Sequence, residues 1–406
     1  MWRTPAGRGF LMLAAMSACL GFAMNAHNNI VTNYFNDILR FSGPQFGYIT
    51  AIREVGGFVL IFLTALLYRV SLQRVTAGAM VVLALGYAFF SVATSFVSVI
   101  PWVVITSFGF HTVLQTQTSL GMSLTTQERS GAILGRMAAF TQGGTFVAYV
   151  MIFLTFHFAG QPPYMSTFLI LGAVAFLGAI AIVRFPHLHE GELRAVAPKR
   201  EPIVFKREYR YYYLLNLFDG ARQQIFFSFG LWVLVKQFGF TVTHMSLLLL
   251  VATFAAMTSS SRLGRWIDRR GERGTLSIVN LFYVFALAGF ALSGNAWLAS
   301  FFYVIYSVIT PLSSIGGSTY LRKIAVHEDV ASSLAMGVTI LHATAIVVPV
   351  AAGFILNYTG YRVPFFIACG FALINFGVTL RLDPVKQRCA ARIAVDEAAA
   401  AKRAAV

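Results

Sequence analysis

Charge is what this chain has least of. Only 11% of its 406 residues are Asp, Glu, Lys or Arg, against about 25% in an ordinary soluble domain. A soluble fold is thereby excluded, because the polar groups needed to cover its surface are missing. Cysteine is almost absent too: Cys19, Cys369 and Cys389 are scattered, and two of them lie in apolar runs, which excludes a disulfide-stapled secreted scaffold. There is no glycine-rich loop ending in Lys-Ser or Lys-Thr to cradle a phosphate, so direct ATP hydrolysis is not expected. No His/Cys/Asp/Glu set has metal-ligand spacing. His187 and His189, beside Glu190, read as solvated, and neither metal nor cofactor is expected.

What the chain has is apolar length. Hydrophobic residues make up 57% of it, which matches the roughly 240 residues that twelve helices of about 20 residues use to cross a bilayer. Apolar runs separated by short polar loops fall at 9–36, 45–69, 75–95, 101–124, 131–155, 164–184, 210–237, 241–262, 275–294, 297–318, 333–357 and 362–381. The expected fold class is therefore all-α, an integral membrane protein of twelve transmembrane helices. Arg3 and Arg8 ahead of the first run resemble a signal peptide, but the run continues as helix-compatible sequence through Tyr34 and eleven more follow.

The net charge of +16 would point to nucleic acid in a soluble protein, but its distribution argues otherwise. Of the 31 Lys and Arg, only Arg40, Lys236 and Arg362 fall on the far side of the spans from the N-terminus, and Arg53 and Arg222 fall inside them. By the positive-inside rule both termini are expected to be cytoplasmic, in a cytoplasmic (inner) membrane, and the basic excess is a topology signal. Nucleic acid is not an expected partner.

The chain divides in two. Residues 185–209, with Pro186, Pro198, Pro202 and mixed charge, read as a cytoplasmic linker between six-helix bundles at 1–184 and 210–381. Residues 382–406 read as a mobile, alanine-rich tail with no assigned role. A shift of about 200 residues lays Glu128, Leu134 and Gly135 over Glu328, Leu334 and Ala335. A shift of about 195 lays Asn28-Asn29-Ile30 over Gln223-Gln224-Ile225, and Trp102 over Trp297. Parallel repeats of six spans are a common build for secondary transporters, with a site at the midplane between halves.

Between spans eight and nine stands Gly264-Arg265-Trp266-Ile267-Asp268-Arg269-Arg270-Gly271-Glu272-Arg273. This stretch resembles the signature loop of the major facilitator superfamily: a Gly, a variable pair, an apolar residue, Asp, a basic residue, a variable residue, Gly, then basic residues. In that family the loop is more often at full strength between spans two and three. Here Ala65, Arg69, Leu72 and Arg74 stand over Gly264, Asp268, Gly271 and Arg273, so the first copy has lost its glycines and exchanged Asp for Arg. The resemblance implies a gating role for Gly264, Asp268, Arg269 and Gly271, with Asp268 docked at the start of span five near Ser130 and Gly131, where a helix N-terminus favours an anion. By the same logic Arg69 is expected to meet Glu328 and Asp329 in a charge-reversed latch. The family's proline-glycine antiporter signature is missing from span five, which carries Gly131, Gly135, Gly143 and Gly144 without a proline.

Ionisable groups inside a span are expensive and therefore candidates for the transport path. Span seven carries Asp219, Arg222, Gln223 and Gln224 near mid-depth, with Asp219 and Arg222 on one helix face. Arg222 and Gln223 are candidate substrate ligands and Asp219 the leading proton-coupling group, although an intrahelical pair that only fixes packing would show the same spacing. Span two adds Arg53, a second candidate anion ligand, and Glu54, a second proton-coupling candidate. Asn25, Asn28 and Asn29 are spaced as one polar stripe on span one, and His111, Gln115 and Thr118 as another on span four. Asn25, Asn29, His111 and Gln115 are accordingly candidate substrate contacts. His342 reads as a packed histidine.

The expected function is secondary active transport of a small organic anion or amphoteric metabolite by alternating access, coupled to protons, by a monomer in the lipid bilayer. A drug/proton antiporter is the close rival. A membrane-embedded acyltransferase-like enzyme is the rival from another class, but it needs its polar groups gathered in one region, whereas here they spread over spans one, two, four and seven.

Overall fold

The computed structural model describes residues 4–66, 70–125, 130–186, 205–390, 392–394 and 397. Among them the regular structure is helical, in eleven α-helices: α1 (Pro5–Asp37), α2 (Gly43–Leu66), α3 (Leu72–Phe90), α4 (Phe96–Ser123), α5 (Ser130–Phe158), α6 (Tyr164–Val183), α7 (Arg210–Lys236), α8 (Val242–Leu292), α9 (Ala296–Ile324), α10 (His327–Thr359) and α11 (Arg362–Leu380). A 3-10 turn, Arg207–Tyr209, leads into α7. The expected twelve spans appear because α8, 51 residues long, carries spans eight and nine on either side of a break at Gly271. There φ is 70° and ψ 172°, backbone that glycine adopts without steric penalty and other residues rarely do.

Ten helical stretches among the described residues are long and apolar enough to cross a membrane. The residues of α7 are not among them, because Asp219, Arg222, Gln223 and Gln224 lower its hydropathy below a spanning segment's. Helix starts are set by local chemistry. Thr4 accepts the Gly7 amide at 3.1 Å with Pro5 behind it, Ser95 and Ser98 form a reciprocal capping box, and Asn295 accepts the Leu298 amide at 2.9 Å. α9 and α10 run past the expected spans 297–318 and 333–357 because their polar ends, Arg322-Lys323 and Glu328-Asp329, continue the helix beyond the apolar run.

The chain packs as two units, 1–199 with 235–250, and 200–234 with 251–406. In the first, α1 packs on α5 and α6, α3 on α4 and α6, and α2 on α4. The α1–α5 crossing is close: a Cβ on Gly21 would overlap the Thr141 carbonyl, and one on Gly144 the Ala18 carbonyl. In the second unit the core is aromatic, with Phe226 of α7 stacked between Tyr303 and Tyr306 of α9 and edge-on to Phe290 and Phe365.

The start of the expected mobile tail is packed. Leu382 and Cys389 are buried with Tyr209, Tyr320 and Ile324, and the Cys389 amide donates to the Ile324 carbonyl at 2.9 Å. Gln387 accepts from Tyr320 Oη at 2.7 Å and donates to the Arg381 carbonyl at 2.7 Å. The segment has no helical or strand period, so its two buried side chains gave no pattern to read.

Candidate functional site

Each unit encloses its own polar cavity. In the first, α1 contributes His27 and Asn28, α2 Arg53 and Glu54, α3 Tyr87, and α4 Ser107 and His111, around ≈ 170 Å³. Arg53 Nε lies 3.6 Å from Glu54 Oε1, yet the arginine side chain remains 50% exposed while the carboxylate is 14% exposed. Ser107 Oγ donates to the Arg53 carbonyl and so pins α2 to α4 at the charged turn. The His27 ring sits 4.8 Å from Tyr87 and 4.7 Å from Phe90, and its buried Nδ1 has no hydrogen-bond partner among the described residues.

The asparagine stripe on α1 divides its labour. Asn28 lines the cavity, but Asn25 donates to Thr145 Oγ1 at 2.8 Å on α5, and Asn29 is fully buried with its amide on Ser246 Oγ at 2.8 Å. Asn25 and Asn29 thus hold helices together, because an i, i+3, i+4 stripe is wide enough for its edges to meet different neighbours. On α4, His111 lines the cavity and Gln115 is exposed outside its lining.

The second cavity, ≈ 240 Å³, is lined by Asp219 and Gln223 among amides and hydroxyls that include Asn216, Asn280, Ser313 and Asn375. Arg222 stands behind this wall with no exposed surface. Its guanidinium donates to Asp219 Oδ1 and to Tyr306 Oη and lies over the Tyr283 ring, 3.4 Å from its centroid. The other Asp219 oxygen accepts from Gln223 Nε2 at 2.6 Å. A single carboxylate thus joins a sequestered cation to a cavity-facing amide. Sequence reasoning missed Tyr283 and Tyr306, since aromatic residues in apolar spans have no pattern that separates a guanidinium cradle from core. It passed over His27 as a ligand for the opposite reason, one polar residue among many.

The gating candidates are placed unevenly. Arg69 lies outside the described residues, as do Gly264 and Asp268 beyond their place in the backbone of α8, and with them the expected latch and docking contact. Arg269 and Glu328 are exposed. Asp329 is engaged within its own unit, accepting from Lys206 Nζ at 2.5 Å and Tyr209 Oη at 2.7 Å. That bond holds the Lys206 ammonium above its ordinary pKa, and burial together with the same carboxylate raises the Tyr209 hydroxyl. Glu272, next to the Gly271 break, accepts from Lys323 at 2.7 Å and so ties α8 to α9.

Membrane-crossing helices in two units, each with an ionisable group turned to a polar cavity, define a multi-pass membrane transporter. The family model of the Major Facilitator Superfamily matches residues 11–310 and again 212–394, and the chain belongs to that family. Among solved structures, the nucleoside transporter NupG superposes with a TM-score of 0.74 at 15% identity, covering 92% of this chain and 100% of that one. A bacterial homologue of the human lysosomal transporter Spinster, inward-facing and occupied, gives 0.72 at 14%, covering 94% and 98%. At such identities these likenesses show the fold alone. No curated protein matches by sequence. The protein is a secondary transporter of a small molecule and not an enzyme.

Proposed function

We propose that the protein moves a small organic anion or amphoteric metabolite by alternating access, driven by the proton gradient, with Asp219 as the coupling carboxylate and Glu54 as a second. It works as a monomer in the cytoplasmic membrane with both termini in the cytoplasm. The observation that carries this reading is the position of Asp219, bonded to an arginine with no exposed surface while itself lining a cavity.

An arginine keeps its charge under all physiological conditions. A proton on Asp219 would leave Arg222 buried and uncompensated, which is unfavourable by several kcal/mol. An anion entering the cavity beside Gln223 supplies the missing negative charge, so binding of the anion and binding of the proton favour each other. Within its own unit the first cavity offers the half-exposed Arg53 as an anion ligand, while the amides of the second suit neutral hydrogen-bonding groups.

The test is transport in proteoliposomes with Asp219→Asn. Accumulation driven by a pH gradient is expected to be abolished while substrate exchange continues; accumulation that persists refutes the assignment.

A further inference from the structure

At the polar end of α7 lies a groove whose lining shares no residue with the second cavity. It runs from Phe205 through the 3-10 turn to Leu214 and Leu217 of α7 and Ile340 of α10, and encloses ≈ 490 Å³. Its walls are apolar except at one end, where Lys206, Arg207 and Arg210 stand. We propose that this groove is a binding site for one anionic phospholipid, with the acyl chain along Leu214, Leu217 and Ile340 and the phosphate between Arg207 and Arg210.

Shape and charge argue for that occupant together. From Arg210 to Leu217 the helix rises about 10 Å, a distance that an acyl chain covers from an interfacial phosphate into the hydrocarbon. Arg207 and Arg210 are exposed, and Lys206 is fixed by Asp329 at 2.5 Å, so the headgroup end is built on an anchored turn. Glu208 on the same turn is outside the groove lining, so the charged side chains of that lining among the described residues are all cations. Phe205 is 70% exposed and stacked on Tyr213 at 4.9 Å, an aromatic platform of the kind favoured where bilayer meets water. A basic pocket between spanning helices that continues an apolar groove is the arrangement that selects acidic headgroups.

The experiment is native mass spectrometry of the detergent-purified full chain, titrated with phosphatidylglycerol, phosphatidylcholine or inorganic phosphate. One phosphatidylglycerol is expected to be retained in preference to phosphatidylcholine. Each arginine beside an acidic headgroup contributes about fivefold, so Arg207→Gln with Arg210→Gln should lower affinity for phosphatidylglycerol about 30-fold. The pair Arg322→Gln with Arg381→Gln, which removes as many exposed charges elsewhere, should leave it unchanged. Should the first pair fail to fold, Leu217→Trp fills the groove with both arginines intact and is expected to expel the lipid. Equal retention of the two lipids, equal loss from both arginine pairs, retained lipid in Leu217→Trp, or retention of phosphate alone would overturn the proposal.

Discussion

Among the described residues Arg222 is the one arginine or lysine that is buried. A guanidinium with no exposed surface is retained here by Asp219, Tyr306 and the face of Tyr283, groups drawn from α7, α8 and α9. The three-residue spacing of Asp219 and Arg222 was legible in the sequence, and so was the choice between a transport role and a packing pair. The tyrosines that decide the cost of the pair were not, because they come from other helices. Removing one member of a buried pair costs about 3–5 kcal/mol, whereas replacing both by apolar side chains of similar size is often neutral. Asp219→Leu is therefore expected to lower thermal stability in detergent by that amount, and Asp219→Leu with Arg222→Leu to recover most of it. If the pair serves transport, the recovered double variant stays inactive. A stable, active double variant would show that the pair serves packing alone.

Helices α1 and α5 show what a helix-scale reading can and cannot extract from glycine. Gly143 and Gly144 are adjacent, and nothing in the sequence ranks one above the other as a place of close approach. In the fold Gly144 faces α1, where a Cβ would overlap the Ala18 carbonyl, while Gly143 is exposed with nothing within 4 Å of the same atom. Overpacking against a neighbouring backbone costs about 3 kcal/mol, and replacing an exposed helical glycine by alanine gains up to about 1 kcal/mol. Gly144→Val should thus lower the melting temperature or abolish folded protein, and Gly143→Ala should leave it equal or higher. Helix ends were the least legible feature. Apolar runs locate the bilayer-crossing part, but α9 and α10 continue through polar residues whose partners, Glu272 for Lys323 and Lys206 for Asp329, lie 51 and 123 residues away.

For the whole molecule, the distribution of charge bears on what packing does not, the side of the membrane on which each loop is expected. Twelve apolar runs were readable because each run must satisfy its backbone internally and match the bilayer in length, and among the described residues a helix lies over each of them, α8 carrying two. Cavity lining was readable in part, since His111, Arg53, Glu54, Asp219 and Gln223 line cavities whereas Asn25, Asn29 and Arg222 are absorbed into bonds between side chains. Orientation rests on the basic residues alone, and an independent measurement can test it. In a background where Cys19, Cys369 and Cys389 are replaced, single cysteines at the exposed positions Thr94 and Gln161 should react with a membrane-impermeant maleimide on intact cells. Cysteines at the exposed Arg322 and Lys386 should react only in inverted vesicles. The opposite pattern would place the basic loops outside, contrary to the electrostatics of insertion, and would reverse the direction of the proton movement proposed for Asp219.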